Sequence, residues 1–335
     1  MPITGVYFIP SNPNASTALA TVTERLHTAL AEEPTLVGRW FLEHKLMRDT
    51  PSCLPASTPQ QRQAQPRYMQ FLSLSYHANH GFICTSEPTP TNPPPPTAAA
   101  APPTTAGASS GSPSSSSLTS SSSAAGPMVM TTVPLASSST LFHHFGYACQ
   151  PFWCHRHTVT VPGGVVYDVG DFRVRVGDVR QTQPAARIRG TVVEIEWRGP
   201  SLVSSIASQA LLAKKMGPSP YAATATVDEE ADGDSGIDMS FFPDGVEEAD
   251  VDAEYAASAA LIRDFWARLG IEGAREAILV PDVGREVKEQ LRWLKAHGMQ
   301  RESEEKRERQ PDEDPDPTAG VDSARQFMEI FRFNR

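Results

Sequence analysis

The chain has 335 residues and carries 29 Lys and Arg against 39 Asp and Glu, a formal charge of −10. Twelve of those acids fall in residues 228–254, which hold no Lys or Arg, so the rest of the chain sums to about +2. A folded part that close to neutral offers no basic field for tight, phosphate-driven nucleic-acid binding. Residues 88–127 are Pro, Thr, Ala, Ser or Gly at 38 of 40 positions, Asn92 and Leu118 being the exceptions. Such a stretch has too little apolar surface to offset its ordering entropy, and disorder is predicted. With the polar and charged stretches 217–254 and 300–319 also set aside, about 235 residues remain, one generous domain. No apolar run approaches the roughly 18 residues of a membrane-spanning helix. Met1-Pro2-Ile3-Thr4-Gly5 lacks the basic and hydrophobic regions of a secretory signal, so cytosol or nucleus is expected. Cys53, Cys84, Cys149 and Cys154 are too few for a disulfide scaffold and are read as free, mostly buried thiols.

In chain order, Thr4 to Ile9 is rich in β-branched and aromatic residues and is stopped by Pro10, which predicts a first strand. After the turn at Asn12-Pro13-Asn14, Leu19, Val22, Leu26 and Leu30 recur at helical spacing. Leu36–Met47, Tyr68–Ser75 and Gly81–Cys84 read as further strands, interrupted by a Pro/Gln-rich loop around 51–66. Beyond the low-complexity insert, Leu141–Tyr147 continues a short helix. Phe152–Arg198 then gives the densest β signal: a strand from Trp153 to Val161, a turn at Pro162-Gly163-Gly164, a strand from Val165 to Arg180, and another from Arg187 to Trp197. The remainder is helical, with one apolar stripe at Leu261, Ile262, Phe265, Trp266 and Leu269 and another at Val287, Leu291 and Leu294 ending at Gly298. Val321, Ala324, Phe327, Met328 and Phe331 mark a last short helix. About seven strands with helices mostly at the two ends predict an α+β fold, a curled or closed sheet with flanking helices.

Three groups of residues invite a chemical reading. His143, His144, Cys149, Cys154, His155 and His157 crowd fifteen positions, and imidazole with thiolate is what zinc prefers. The spacing favours ordinary strand side chains, since Cys154 and His155 point to opposite faces and no second cysteine pair completes a tetrahedron. Asp228-Glu229-Glu230-Ala231-Asp232-Gly233 opens like a calcium loop, but its twelfth position is Met239 and not a bidentate Glu, which favours a solvated acidic linker. Glu194, Glu196 and Arg198, two apart on a strand, share one face. Triphosphate-tunnel phosphohydrolases use Glu-x-Glu-x-Lys/Arg to hold a divalent metal and phosphates, with Arg173 and Arg175 on the preceding strand as a further grip. No other strand carries a second Glu-x-Glu, which favours a cross-strand charge ladder on the solvent face, with Val193, Ile195 and Trp197 facing the core. Nucleophile-elbow, phosphate-loop and dinucleotide fingerprints are absent, and no cofactor is expected. Phe327, Met328 and Phe331 sit on a helix too short to be stable alone; they need an apolar surface, and are the candidate partner-binding residues.

The N-terminal Met1-Pro2-Ile3-Thr4-Gly5-Val6-Tyr7, the blocks Phe152–Gly164, Asp171–Gly177 and Gly190–Trp197, and the final Ala324–Phe331 together resemble subunit 20 of the Mediator complex of RNA polymerase II, in its filamentous-fungal form. The resemblance implies an antiparallel β barrel with flanking helices, similar to the barrel of triphosphate-tunnel enzymes but without catalysis. It implies a nuclear scaffold in the head module that supports regulated transcription and pairs with subunit 18 near a helical segment of subunit 8. Sequence-specific nucleic-acid binding and membrane contact are not expected. The organisation expected on this footing is a barrel domain in two parts, 1–86 and 137–216. A disordered insert occupies 87–136, an acidic linker 217–254, a helical part of the same domain 255–299, a charged linker 300–319 and a C-terminal helix 320–335.

Overall fold

The computed structural model describes residues 2–11, 17–51, 66–86, 128–216, 245–298 and 316–332. Runs of β-branched and aromatic residues form β1 (Ile3–Pro10), β2 (Thr35–Asp49), β3 (Tyr68–Leu74), β4 (His80–Ser86), β5 (Met128–Pro134), β6 (Trp153–Val169), β7 (Phe172–Gln183), β8 (Arg187–Trp197) and the short β9 (Arg275–Ala277). The helices are α1 (Leu19–Thr28), α2 (Leu135–Tyr147), α3 (Leu202–Met216), α4 (Glu248–Leu269), α5 (Arg285–Gly298) and α6 (Val321–Ile330). Among the described residues the nine strands join one antiparallel sheet in the order β5-β4-β3-β2-β6-β7-β8-β1-β9.

The sheet is not closed into the expected barrel. Its edges are β5 and β9, and the segment carrying α6 bridges the space between them. On one side the Thr132 hydroxyl of β5 donates to the Pro317 carbonyl at 2.9 Å, and His80 Nε2 lies 3.1 Å from the Asp316 carbonyl. On the other, the Gln326 amide donates to the carbonyls of Thr4 at 2.6 Å and Ile278 at 2.9 Å. A helix therefore satisfies the interior where a final strand pairing would otherwise have closed it, and β9, at three residues, is too short to do so.

Because the sheet curls round α6, β1, β7 and β8 are covered on both faces. Their outward residues Tyr7, Val174, Val176, Val193 and Ile195 pack with α1, α3, α4 and α5, while Val6, Phe8, Val179 and Val192 face α6. Tyr7 stacks on Trp266 of α4, with ring centroids 4.2 Å apart and planes at 6°. A separate apolar cluster of Met47, Met69 and Phe71 lies beneath α2.

Pro162-Gly163-Gly164 is not a turn. It lies inside β6, where the pairing slips against both β2 and β7, as a bulge does. Pro162 lacks an N–H, which costs little where the ladder is already broken. A Cβ on Gly164 would overlap the Trp40 indole, whose Nε1–H donates to the Val176 carbonyl at 3.2 Å, so the glycine makes room for that ring. The chain reverses instead at Gly170-Asp171, with Val169 paired to Phe172 and Gly170 at a φ of +54° that glycine adopts without strain.

Other boundaries move as well. β5 and the start of α2 fall within the stretch 87–136 read as insert, and α4 begins at Glu248, within the stretch 217–254 read as linker. At that start Glu247 and Asp250 form a capping box, so acids there serve the positive end of a helix. Gly270, at φ +63°, ends α4. The helix α3 had no counterpart in the sequence reading.

Candidate functional site

The antiparallel register of β7 and β8 sets Arg175 opposite Glu194 and Arg173 opposite Glu196. Alternation then sends Arg175, Glu194 and Glu196 to the inner face, the side that α6 fills, so the solvent-facing ladder is overturned. Glu194 is 0% exposed and Glu196 9%. One guanidinium serves both carboxylates: Arg175 Nη1 donates to Glu194 at 3.0 Å and Nη2 to Glu196 at 2.6 Å. The Tyr76 hydroxyl donates to both oxygens of Glu194, at 2.9 and 2.8 Å, and its ring lies 4.0 Å from the guanidinium carbon. Burial lifts the Glu194 carboxyl above the usual range, with Arg175 and the Tyr76 hydroxyl pulling it back. Burial alone would lower the Arg175 pKa, but Glu194 and its neighbours drive it up, so the guanidinium stays charged.

Arg198 has the strand parity of Glu194 and Glu196 but reaches neither of them. It follows the end of β8, is partly exposed, and donates to Asp168 at 2.8 Å, beside Arg173, which makes a two-point pair with the same carboxylate. Arg198 is thus engaged by Asp168 and not by the glutamates, and Arg175 already fills the space between the two glutamates. Nothing in this geometry supports a phosphohydrolase that uses Glu194, Glu196 and Arg198.

A second buried polar cluster was not anticipated. Asp322, at the start of α6, accepts from the Tyr255 hydroxyl of α4 at 2.7 Å, from the Gly284 N–H at 3.1 Å and from Arg325 at 3.1 Å. Arg325 also forms a two-point ion pair with Glu286 of α5. Burial raises the Asp322 pKa, while the Tyr255 hydroxyl and Arg325 hold it down. Three helices and the turn before α5 meet here, and the effect is to latch α6 in place. Phe327, Met328 and Phe331 are fully buried within the curl of the sheet. Phe327 lies 6.0 Å from the Trp40 ring and Phe331 5.3 Å from the His44 ring.

The histidine and cysteine group spreads out. His155 Nε2 is 3.0 Å from the Thr158 hydroxyl, His143 stacks on Tyr147, and His157 is buried 6.2 Å from His44. Among the described residues no three His, Cys, Asp or Glu side chains are placed to hold a metal. Cys84 is buried and Cys149 and Cys154 are half-buried, and none of the three is in a disulfide among the described residues. Cys53 and the acidic loop 228–233 lie outside the described residues. On the outer face, Phe41, Ser75, Leu135 and Pro162 line an open apolar groove of about 560 Å³, and Leu36 and Val37 of β2 are 69% and 52% exposed.

Fold and site together define a mixed α/β protein of one curled antiparallel sheet around its own C-terminal helix, with buried charges neutralised by one another. The family model described as "TATA-binding related factor (TRF) of subunit 20 of Mediator complex" (Med20) matches residues 1–332. The chain belongs to that family, and is a subunit of Mediator with a role in transcription. No curated protein matches it. Among solved structures, the PH1819 protein from Pyrococcus horikoshii OT3 is similar at 9% identity over 63% of this chain and 86% of that one, with a TM-score of 0.25, too loose a superposition to argue from.

Proposed function

We propose that this Mediator subunit is a non-catalytic scaffold of the nuclear head module that pairs with subunit 18, close to a helical segment of subunit 8, and binds no specific nucleic-acid sequence. What carries the proposal is the inner face of β7 and β8: both glutamates are neutralised by Arg175 and Tyr76, and none of these side chains is left to do chemistry. The uncovered apolar stretch of β2 with its groove is the kind of surface an obligate partner buries. Phe327, Met328 and Phe331 enter the same proposal through α6: seated inside the sheet, they hold the strands that the partner would contact.

Co-expression with subunit 18 should raise soluble yield and give a one-to-one complex on size exclusion, and Phe331→Ser should lower that yield. A monodisperse monomer indifferent to subunit 18 at micromolar concentration would sink the pairing. The absence of catalysis is tested separately: no phosphate release from nucleoside triphosphate or tripolyphosphate above background with magnesium or manganese. Release that disappears in Glu194→Gln/Glu196→Gln would overturn it.

A further inference from the structure

Of the two edges of the sheet, β9 has three residues, whereas β5 has seven and lies along β4 without a slip in register. Register fixes which backbone groups of β5 are already used. The Leu135 N–H donates to the Asn79 carbonyl at 3.1 Å, and the His80 N–H donates to the His77 carbonyl at 2.9 Å, so His80 and Pro134 face each other as a non-hydrogen-bonded pair. Counting back by twos, Val133, Thr131 and Val129 exchange bonds with Gly81, Ile83 and Thr85, and the N–H and C=O groups of Thr132 and Met130 point away from the sheet. Among the described residues nothing bonds to those outward groups; the segment before α6 reaches β5 through the Thr132 hydroxyl, on the inner face. The strand reads Met-Val-Met-Thr-Thr-Val-Pro, without a charge, and Val129 is 58% exposed. Exposed edges are normally guarded by charges, bulges or prolines, and here the guard is Pro134 at the last position.

We infer that the outer edge of β5 takes an extended segment of the partner subunit as a further strand, an uncharged one rich in β-branched residues. The inference rests on the pairing proposed above and names what the partner contributes to it. Strand addition of this kind draws its affinity from main-chain hydrogen bonds and its selectivity from alternate side chains. On the outer face the neighbours are Val129 and Thr131; on the inner face they are Met130, packed on the core around α6, and Thr132, so a charged residue meets no counter-charge of β5 on either side. The chain's own flanking stretches suit the place poorly: residues 88–127 are Pro, Thr, Ala, Ser or Gly at 38 of 40 positions, and 300–315 are mostly charged, with prolines at 311 and 315. A second copy, paired about a two-fold axis at Thr131, would exchange bonds through Met130 and Thr132 alone, well short of the roughly 800 Å² a side of a stable interface. The partner subunit has more to hold. Leu135, the residue after β5, is 40% exposed and lines the apolar groove, so edge and groove adjoin.

The test is residue-resolved amide hydrogen exchange of the full chain, alone and in its co-expressed complex with subunit 18. In the free chain Val129, Thr131 and Val133 should exchange slowly and Met130 and Thr132 fast, and complex formation should slow Met130 and Thr132 by about tenfold or more. Met130→Pro removes an outward N–H that β4 does not use and should weaken the complex by about tenfold, while Met130→Leu, which keeps the N–H, should leave it unchanged. A complex in which Met130 and Thr132 exchange as fast as in the free chain would overturn the inference and leave the pairing standing. So would a folded Met130→Pro chain that binds subunit 18 like the parent; where that variant does not fold, the exchange comparison on the parent decides. Slow exchange of Met130 and Thr132 in the free chain would also overturn it, in favour of a second copy if the protection rises with concentration and of the chain's own residues if it does not. Failure to form any complex would sink the pairing and this inference with it.

Discussion

Two buried charge clusters stabilise this molecule in different ways. Arg175, Glu194 and Glu196 come from a single hairpin, and strand register alone brings them together, with Tyr76 added from the β3–β4 connection. Asp322, Arg325, Glu286 and Tyr255 come from α6, α5 and α4, and meet only when the tertiary structure is complete. The chemistry is the same, a carboxylate with a guanidinium and a tyrosine hydroxyl, but the consequences of loss differ. Breaking the first leaves a charge stranded in a sheet whose strands remain paired; breaking the second frees the helix that fills the sheet.

The largest effect expected is from Arg175→Met, which strands two glutamates in the interior and should cost about 3–5 kcal/mol in urea unfolding. Removing all three charges, as Arg175→Met/Glu194→Leu/Glu196→Met, should return stability to within about 2 kcal/mol of the parent. A triple variant no better than Arg175→Met alone would show that the cluster does more than balance its own charge. Next, Asp322→Ala removes the acceptor for Tyr255, Gly284 and Arg325 and should cost about 2–3 kcal/mol. Amide exchange in α6 should rise with it, whereas Arg175→Met should leave α6 exchange following global unfolding only.

Acid should loosen the same helix from its other end. His44 packs on Phe331, its Nε2 lies 2.9 Å from the Gln70 side-chain oxygen, and its pKa is lowered to about 3, mainly by burial. A depressed histidine contributes stability that is fully present above its unfolded pKa, near 6.5, and is lost as pH falls toward the folded value. At pH 5 the loss from His44 should be about 2 kcal/mol, and His44→Gln should flatten that part of the profile. Burial raises Glu194 and Asp322, which therefore act in the opposite sense: the cost of keeping them charged is relieved as acid protonates them. A profile that stays flat from pH 7 to 5 in the parent would contradict the burial of His44 against α6.

Smaller still, Gly164→Ala should cost about 1–2 kcal/mol by pushing the Trp40 ring against Phe327, with a shift in tryptophan emission. Gly146→Ala, in α2 with open space around the site, should stabilise by about 0.4–1 kcal/mol and leave α6 untouched.

The same contrast explains what could be read from the sequence. Alternation placed Arg175, Glu194 and Glu196 on strands, because a two-residue period survives in the bare sequence. It misplaced the solvent because period two says which residues share a face, not what covers that face. Here α6, more than a hundred residues later in the chain, covers it. The second cluster left no trace, since Asp322 and Arg325 look like the polar side of a surface helix until Tyr255 and Glu286 are set beside them. Pro162-Gly163-Gly164 has the composition of a turn, and only the bulk of Trp40, from a neighbouring strand, shows it to be a bulge. The missed helix α3 did carry a signal. Val203, Ile206, Ala207 and Ala210 recur at helical spacing after Ser201, whose hydroxyl accepts from the Ser204 N–H at 3.2 Å. Its small residues made that stripe faint.

The central claim is that the charges inside the sheet hold the fold of a Mediator subunit and take no part in chemistry or partner contact. It is tested most directly by quantitative mass spectrometry of the proteins that co-purify from nuclear extract with the tagged parent and with the tagged triple variant Arg175→Met/Glu194→Leu/Glu196→Met. The account predicts the same Mediator subunits at the same stoichiometry from both. A triple variant that keeps the parent's unfolding midpoint yet no longer recovers Mediator would contradict it.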